Sequence, residues 1–177
     1  SYVGNLFGAD EDLLLNAIKL LDVEIRKNIR LVFIGSTVRK KEAFQQLVTT
    51  EVNVRLLGDE YKNKVLSADV FLLPFKLSTS NMFRWPSKFG DYCIAGKPIV
   101  FTPVSDLPEI TRQYEMGIMT KNDSPEELAK GIELILKAKE KFQYWGMNSR
   151  KFAETKLDWK TICIQTIKFY NKINKEK

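Results

Sequence analysis

Histidine is absent from this sequence of 177 residues, and cysteine occurs only twice. Without histidine the chain lacks the commonest general base and the commonest metal ligand. This argues against a zinc enzyme and against a nucleophile paired with histidine within the chain. Cys93 and Cys163 follow no paired spacing, so we expect buried free thiols in a reducing compartment rather than a disulfide.

Long hydrophobic runs are also missing. No stretch approaches the roughly 20 apolar residues that a membrane-spanning helix needs. The opening SYVGNLFG is typical of a strand that enters a glycine turn, not of a signal peptide. Because the chain opens with Ser1 on that strand, we expect a piece of a longer protein. The expected free thiols favour a cytoplasmic location. Its length and its content of 44% hydrophobic and 28% charged residues favour one globular domain over residues 1–177.

Positive charge exceeds negative charge, with a formal net charge of +6. Such a balance permits nucleic acid, an anionic membrane surface or a phosphorylated ligand as partner. No basic stripe interleaved with aromatics follows one element, so we expect no nucleic acid. Lysines concentrate near the C-terminus, either as a solvated helix end or as a peripheral contact with the inner face of a membrane. They are Lys168, Lys172, Lys175 and Lys177.

Short apolar runs alternate with helical patterns along the whole chain. Most of the runs are continuously apolar, which is typical of parallel strands buried on both faces. The pattern predicts an α/β fold: a Rossmann-like, doubly wound parallel sheet of about six strands, with helices on both faces. A helical C-terminal extension follows over residues 139–175. The predicted strands are residues 2–5, 30–35, 52–58, 69–75, 98–103 and 117–120.

The segment NMFRWPSKFGDYCIAGKPIVFTP, residues 81–103, carries the clearest chemical signal. It predicts a helix from Ser87 to Ala95, with Pro86 suited to its first turn and Gly96 placed to end it. The preceding loop leaves a strand at its carboxyl end, where open α/β sheets bind ligands. The helix start, together with the cations Arg84 and Lys88, suits a diphosphate.

One helical arc of this segment is polar. Ser87, Lys88 and Asp91 share that arc at 100° per residue, whereas Phe89 and Tyr92 share the other. A carboxylate about one turn in from a phosphate site is well placed to accept hydrogen bonds from ribose hydroxyls. The alternative is an aspartate that is merely solvated, and the spacing alone leaves both open.

A longer pattern carries a family resemblance. The order ADVFLLPF, PSKFGDYCIAGKPIVFTPVSDLPEI and GIMTKNDSPEELAKGIELIL resembles the C-terminal half of a GT-B glycosyltransferase. The closest type is the large retaining group that includes the family-4 (group 1) enzymes, and residues 95–98 are the most specific part. The resemblance implies sugar transfer from a UDP- or GDP-activated donor to a glycan, lipid-carrier or protein acceptor. It also implies a separate N-terminal GT-B domain as partner, and neither a cofactor nor a catalytic metal.

The resemblance assigns roles to single positions. Asp91 falls on the second glutamate of the family pair, which holds the nucleotide ribose. The first glutamate, which touches the donor sugar, falls on Phe83, so that carboxylate is missing. Residues 84–88 match the stretch that approaches the diphosphate. Gly4 and Asn5 match the turn after the first strand.

The family often has an arginine and a lysine after that turn, and this chain does not. The acids Asp10, Glu11 and Asp12 stand there instead, and we interpret them as the first turn of a helix. We hypothesise that Arg84 and Lys88 replace the missing phosphate clamp.

Leu57 and Gly58, expected at the end of the third strand, match the region where the base packs in the family. A simple turn from strand to helix is the other interpretation. Trp85 lies in the loop before the predicted helix, as a packing residue or facing a ligand. Any catalytic residue that the expected N-terminal domain contributes would lie outside residues 1–177.

Two alternatives to a glycosyltransferase remain. A non-catalytic glycosyltransferase-like binding or interaction module is favoured by Phe83 and by the missing clamp. Half of a nucleotide-sugar epimerase would share the fold, but the lack of histidine disfavours it.

Overall fold

The computed structural model describes residues 1–6, 8–35 and 37–175. Lys177, which belongs to the predicted basic end, lies outside the described residues. Six short strands are present in this part of the chain, and all strand pairs are parallel. They are β1 (Tyr2–Val3), β2 (Arg30–Ile34), β3 (Thr49–Asn53), β4 (Phe71–Leu73), β5 (Ile99–Phe101) and β6 (Gly117–Met119).

The strands form two three-stranded sheets, β1-β2-β3 and β4-β5-β6. Ser1 joins them, because its nitrogen donates to the carbonyl oxygen of Val70 at 2.6 Å. Its own carbonyl oxygen accepts from the N–H of Leu72 at 2.9 Å. The lateral order is therefore β3-β2-β1-β4-β5-β6. Successive strands are added toward one edge up to β3 and toward the other edge from β4, so the strand order reverses between β1 and β4. Ligands bind at such a switch point in doubly wound folds.

Helices follow most of the strands. The helices in the described residues are α1 (Ala9–Leu20), α2 (Val23–Lys27), α3 (Lys41–Gln45), α4 (Gly58–Leu66), α5 (Thr79–Met82), α6 (Ser87–Ala95), α7 (Leu107–Gln113), α8 (Pro125–Lys137), α9 (Phe142–Phe152) and α10 (Trp159–Lys175). A 3₁₀ turn, Lys139–Lys141, precedes α9, and a π turn, Ala153–Leu157, connects α9 to α10.

Successive strand residues contribute to two different cores, because strand side chains alternate between faces. On β5, Val100 belongs to the core that includes α1 and α8. Its neighbours Ile99 and Phe101 belong to the core that includes α6 and α7. Both cores are apolar, which explains why the strand sequences are continuously hydrophobic. The predicted doubly wound α/β fold is confirmed.

Helix α9 holds the end of α6 in place. A guanidinium nitrogen of Arg150 donates to the carbonyl oxygen of Ile94 at 2.7 Å. The hydroxyl of Ser149 donates to the carbonyl oxygen of Lys97 at 3.2 Å. Gly96 ends α6 in the left-handed conformation, with φ +65°, as the sequence predicts.

The third strand differs from its prediction. It begins at Thr49 and ends at Asn53, so residues 54–57 leave the sheet. Arg55 has a positive φ of 58°, which takes the chain out of extended geometry. Leu57 is then the N-cap of α4 and Gly58 its first residue. The prediction that these two residues end the strand is wrong.

Helix α10 keeps its apolar side chains exposed. Trp159 is 78% exposed and Phe169 is 62% exposed. Cys93 is buried as predicted, but the prediction that Cys163 is buried is wrong, because this residue lies on α10. Within the described chain, none of the helices combines the length and the apolar character required to span a bilayer.

Candidate functional site

The turn after β1 lies against the start of α6, at the switch point of the sheet. Gly4 has φ +75°, and its N–H donates to the carbonyl oxygen of Ile34 at 2.8 Å. A Cβ at Gly4 would lie 3.6 Å from Cε of Lys88. A positive φ combined with this close approach favours glycine, which leaves room for the lysine.

Lys88 is the most buried cation of the site. Its ammonium group lies 4.3 Å from the ring centroid of Tyr2 and 5.2 Å from that of Phe75. It also donates to the phenolic oxygen of Tyr2 and, at 3.3 Å, to the carbonyl oxygen of Asn5. Burial lowers the pKa of Lys88 to about 8, and the positive charge of Arg84 acts in the same direction. A half-buried cation thus lies at the place where a doubly wound fold binds its ligand.

Arg84 and Lys88 both lie near the ring of Phe75. Its Cζ lies 5.0 Å from the ring centroid of Phe75, so both cations lie over that ring. The backbone of Phe75 is bound by Thr102. The Thr102 hydroxyl donates to the Phe75 carbonyl oxygen at 2.6 Å and accepts from the Phe75 N–H at 3.0 Å. The structure thus brings the two predicted phosphate-binding cations together.

Asp10 lies in the first turn of α1 and also accepts hydrogen bonds from the segment after β4. Its Oδ1 accepts from the N–H of Lys76 at 2.7 Å and from the side-chain amide of Asn81 at 3.3 Å. Burial raises the pKa of Asp10, while these hydrogen bonds and the charges of Arg84 and Lys88 oppose that rise. Asp10 therefore fixes the loop after β4 and supplies a negative charge near the cation pair.

Asp91 is half-buried rather than freely solvated. The phenol of Tyr61, on α4, donates to Oδ2 of Asp91 at 3.4 Å. Burial raises the pKa of Asp91, whereas the hydrogen bond from Tyr61 and the charge of Lys88 lower it. Two of the three predicted residues of the polar arc, Lys88 and Asp91, thus lie on the same side of α6, and Phe89 and Tyr92 are fully buried on the other.

The start of α6 is uncapped by a side chain. Pro86 occupies the N-cap position and offers no side-chain hydrogen bond, and Ser87 is the exposed first residue. The N–H of Phe89 is satisfied by the carbonyl oxygen of Pro86 at 2.8 Å. No side chain caps the remaining N–H groups of this first turn, which suits an anion site.

Other predicted residues are placed differently. The side-chain oxygen of Asn5 accepts from the N–H of Thr37 at 3.3 Å, so Asn5 ties the turn after β1 to the loop after β2. Leu57 is 81% exposed, and a Cβ at Gly58 would have no neighbour within 4 Å. These two residues are connected to the site through Tyr61, in the first turns of α4.

Phe83, where the family carries a carboxylate, is 88% exposed. Trp85 packs edge-on against Phe89, with ring centroids 5.8 Å apart, so part of its surface supports α6. Sequence reasoning did not identify Tyr2, Phe75, Asp10 or Tyr61 as site residues. Tyr2 begins and Phe75 ends an apolar strand run, which masks both as core, whereas Tyr61 lies on a separate helix that gives no signal of contact with the site.

Two surface cavities lie elsewhere. One, of about 370 Å³, is lined by α2 and the segment from α3 to β3, and the other, of about 350 Å³, by residues around α7 and β6. None of the eight predicted site residues lines either of these two cavities. The candidate site lies instead at the sheet edge where the strand order reverses, and we call the surface there that carries Arg84, Lys88, Asp91 and Tyr61 the groove. Across the described ranges, no group of three or more histidine, cysteine, aspartate or glutamate residues is arranged to hold a metal ion.

Strand order and groove together define a Rossmann-like α/β protein with its candidate site at the switch point. Residues 1–138 match the family model described as "Glycosyl transferases group 1". That match covers more than half of the chain, and the protein therefore belongs to this glycosyltransferase family. The predicted family is confirmed.

Relatives and solved structures agree with this assignment. The chain is 26% identical over 168 residues to the uncharacterized glycosyltransferase MJ1178 of Methanocaldococcus jannaschii, covering 92% of this chain and 44% of that protein. The chain spans less than half the length of the curated relatives it matches.

Two solved structures share the fold. HepE (Alr3699) of Anabaena, crystallised in complex with UDP-glucose, superposes with a TM-score of 0.70 at 14% identity, over 97% of this chain and 48% of that chain. The C-terminal domain of LpcC, a glycosyl transferase group 1 family protein of Francisella tularensis, gives a TM-score of 0.64 at 15% identity, over 89% of this chain and 85% of that chain.

Proposed function

We propose that this chain is the donor-binding domain, and the C-terminal half, of a two-domain glycosyltransferase that uses a UDP- or GDP-activated sugar. The observation that carries the proposal is the pair of cations, Arg84 and Lys88, over the ring of Phe75 at the switch point, with Asp91 one helical turn further on. The acceptor would be a glycan, a lipid carrier or a protein.

The cation pair suits the diphosphate of such a donor. Arg84 is exposed and can turn toward a ligand, whereas Lys88 is fixed by Tyr2 and Asn5. The start of α6, which no side chain caps, would add backbone hydrogen-bond donors and the positive end of the helix dipole. Because these groups supply positive charge, we include no catalytic metal and no cofactor in the proposal.

Sugar transfer breaks the bond between the anomeric carbon and the β-phosphate oxygen. Negative charge then develops on the departing nucleoside diphosphate, and charges fixed beside it lower the barrier. Arg84 and Lys88 would provide this stabilisation, and Asp91 would hold the ribose so that the diphosphate stays in register. We propose retention of anomeric configuration, as in the group that the sequence resembles.

A second domain is part of the proposal. Helix α10 exposes an apolar face that includes Trp159, Phe169 and Tyr170. We propose that this face packs on the N-terminal half, which would bring the acceptor site. The fragment alone would then bind nucleotide weakly and transfer nothing. Binding of α10 to vesicles that contain anionic lipid, with loss in high salt, would instead assign this face to a membrane.

A non-catalytic binding module is the second candidate. The exposed Phe83, where the resemblance expects a carboxylate on the donor sugar, favours it. A module of this kind would lack turnover and selective nucleotide affinity. Transfer from a radioactive nucleotide sugar by the longer polypeptide would eliminate it.

Calorimetric titration of the wild-type chain with UDP, GDP and ADP tests the proposal. We expect saturable binding of UDP or GDP, stronger than binding of pyrophosphate, because the ribose and base add contacts. Equal affinity for the three nucleotides and for pyrophosphate would leave only a nonselective anion site. That result would favour the module.

A further inference from the structure

Tyr61 lies between helix α6 and the turn after β2. It belongs to α4, and its hydroxyl donates to Oδ2 of Asp91 at 3.4 Å. On the other side, its Cε2 lies 3.9 Å from the position of a Cβ at Gly35, in the turn after β2. The phenol is half-buried, so one edge of the ring remains accessible in the groove.

The hydrogen-bonding capacity of this pair is not exhausted by the contact between them. The phenolic oxygen donates its proton to Asp91 and still has lone pairs that accept hydrogen bonds. Asp91, when ionised, has two oxygens that only accept. Burial and the charge of Asp91 raise the pKa of Tyr61 to about 12, so the phenol keeps its proton at neutral pH.

A sugar with two neighbouring hydroxyls matches this arrangement. One hydroxyl can donate to Asp91, and the adjacent one can donate to the phenolic oxygen of Tyr61. The two protein oxygens are 3.4 Å apart, a spacing that adjacent hydroxyls of one ring can bridge. A carboxylate has two oxygens for such a pair of hydroxyls, but Oδ2 of Asp91 already accepts from Tyr61, so the phenolic oxygen offers a second acceptor beside it.

We propose that Tyr61 and Asp91 together form the subsite for the 2′- and 3′-hydroxyls of the donor ribose, with Tyr61 as a second ribose-binding residue. This inference rests on the proposed donor-binding function. It locates the ribose between α4 and α6, with the base beyond it toward the turn after β2. Gly35 suits that side, because it leaves space beside the ring of Tyr61.

The test compares Tyr61→Phe with the wild-type chain, titrated with UDP, 2′-deoxy-UDP, 3′-deoxy-UDP and pyrophosphate (the GDP series if the chain prefers GDP). We expect Tyr61→Phe to weaken binding of the ribonucleotide about fivefold to tenfold, the effect of one hydrogen bond. Against one of the deoxynucleotides the substitution should change affinity little, because the hydroxyl that Tyr61 binds is already gone. Pyrophosphate affinity should be unchanged.

Tyr144→Phe is the matched control, since Tyr144 is 51% exposed on α9 and lies outside the groove. A uniform loss by Tyr61→Phe against all three nucleotides would show that Tyr61 only supports Asp91, and would overturn the inference. So would an unchanged affinity for UDP in Tyr61→Phe when Asp91→Asn weakens it. If the wild-type chain binds no nucleoside diphosphate at millimolar concentration, the donor-site proposal fails, and this inference fails with it.

Discussion

The ammonium group of Lys88 lies 4.3 Å from the ring centroid of Tyr2 and donates to its phenolic oxygen. A cation of α6 thus covers a buried aromatic of β1, at the position where the strand order reverses. This contact joins the first turn of the chain to the helix that carries Asp91. It places the candidate phosphate site, at the start of α6, directly beside the turn after β1.

Lys88→Gln should remove the fixed charge of the site. We expect the affinity for a nucleoside diphosphate to fall roughly tenfold to hundredfold, since hydrogen bonds to charged groups contribute about 1.5–3 kcal/mol. Calorimetry measures the loss, and thermal unfolding checks that the variant is folded. Lys130→Gln, an exposed lysine on α8, is the matched control and should bind normally. An equal effect of the two variants would contradict the assignment.

Nucleotide affinity should decrease at alkaline pH, because Lys88 loses its charge there. Burial lowers the pKa of this amine to about 8, so its charge is present below pH 8 and is lost as the pH rises through that value. The ligand's terminal phosphate has a pKa near 6, so its own charge is almost constant above pH 7. We therefore expect weaker binding at pH 9 than at pH 7, with proton uptake on binding near pH 8.

The same titration on Lys88→Arg provides the control for this pH dependence. Arginine keeps its charge throughout this range. A decrease of equal steepness in that variant would assign the effect to another group.

Two glycines in helices test how α6 is held. Gly146→Ala would place a methyl group against the carbonyl oxygen of Gly96, whereas Gly90→Ala would meet only Leu157 at 3.6 Å. Both changes remove the low helix propensity of glycine. We expect Gly90→Ala to raise the free energy of unfolding by about 0.5–1 kcal/mol. Gly146→Ala should lower it by about 1–3 kcal/mol through overpacking.

Denaturant unfolding of the two variants gives both values. If Gly146→Ala is as stable as Gly90→Ala, α9 does not pack closely against the end of α6 in solution.

Thr102→Val tests the support under the cation pair. The substitution keeps the shape but removes the buried hydroxyl that donates to the Phe75 carbonyl oxygen. We expect a loss of about 1–3 kcal/mol in the free energy of unfolding, because a buried acceptor loses its partner. Thr111→Val, which removes a hydroxyl bonded within α7, should have a smaller effect. Similar losses in both variants would mean that Phe75 needs no such support.

Much of the fold could be predicted from the sequence because its strands are buried on both faces. Runs such as the one that contains Phe71 and Leu73 leave few alternatives to a parallel sheet. The third strand was misplaced since Thr49 and Thr50 look polar, although β-branched residues suit a strand. The turn at Arg55, with its positive φ, has no clear signal in the sequence.

The site was predicted only in part, for a related reason. Arg84, Lys88 and Asp91 share one short segment, so helical spacing could group them. Tyr61 and Asp10 come from distant segments, and only the folded chain brings them to that segment. The exposure of Cys163 was missed because an amphipathic helix pattern indicates an apolar face but not what covers it.

The central claim is that Asp91 lies where the ribose of a nucleoside diphosphate binds. Titration of wild-type and Asp91→Asn chains with the preferred nucleoside diphosphate and with pyrophosphate tests it most directly. We predict that the variant loses roughly tenfold in affinity for the nucleotide, consistent with a hydrogen bond to a charged group, and keeps its affinity for pyrophosphate. Unchanged nucleotide affinity, or an equal loss for both ligands, would contradict the claim.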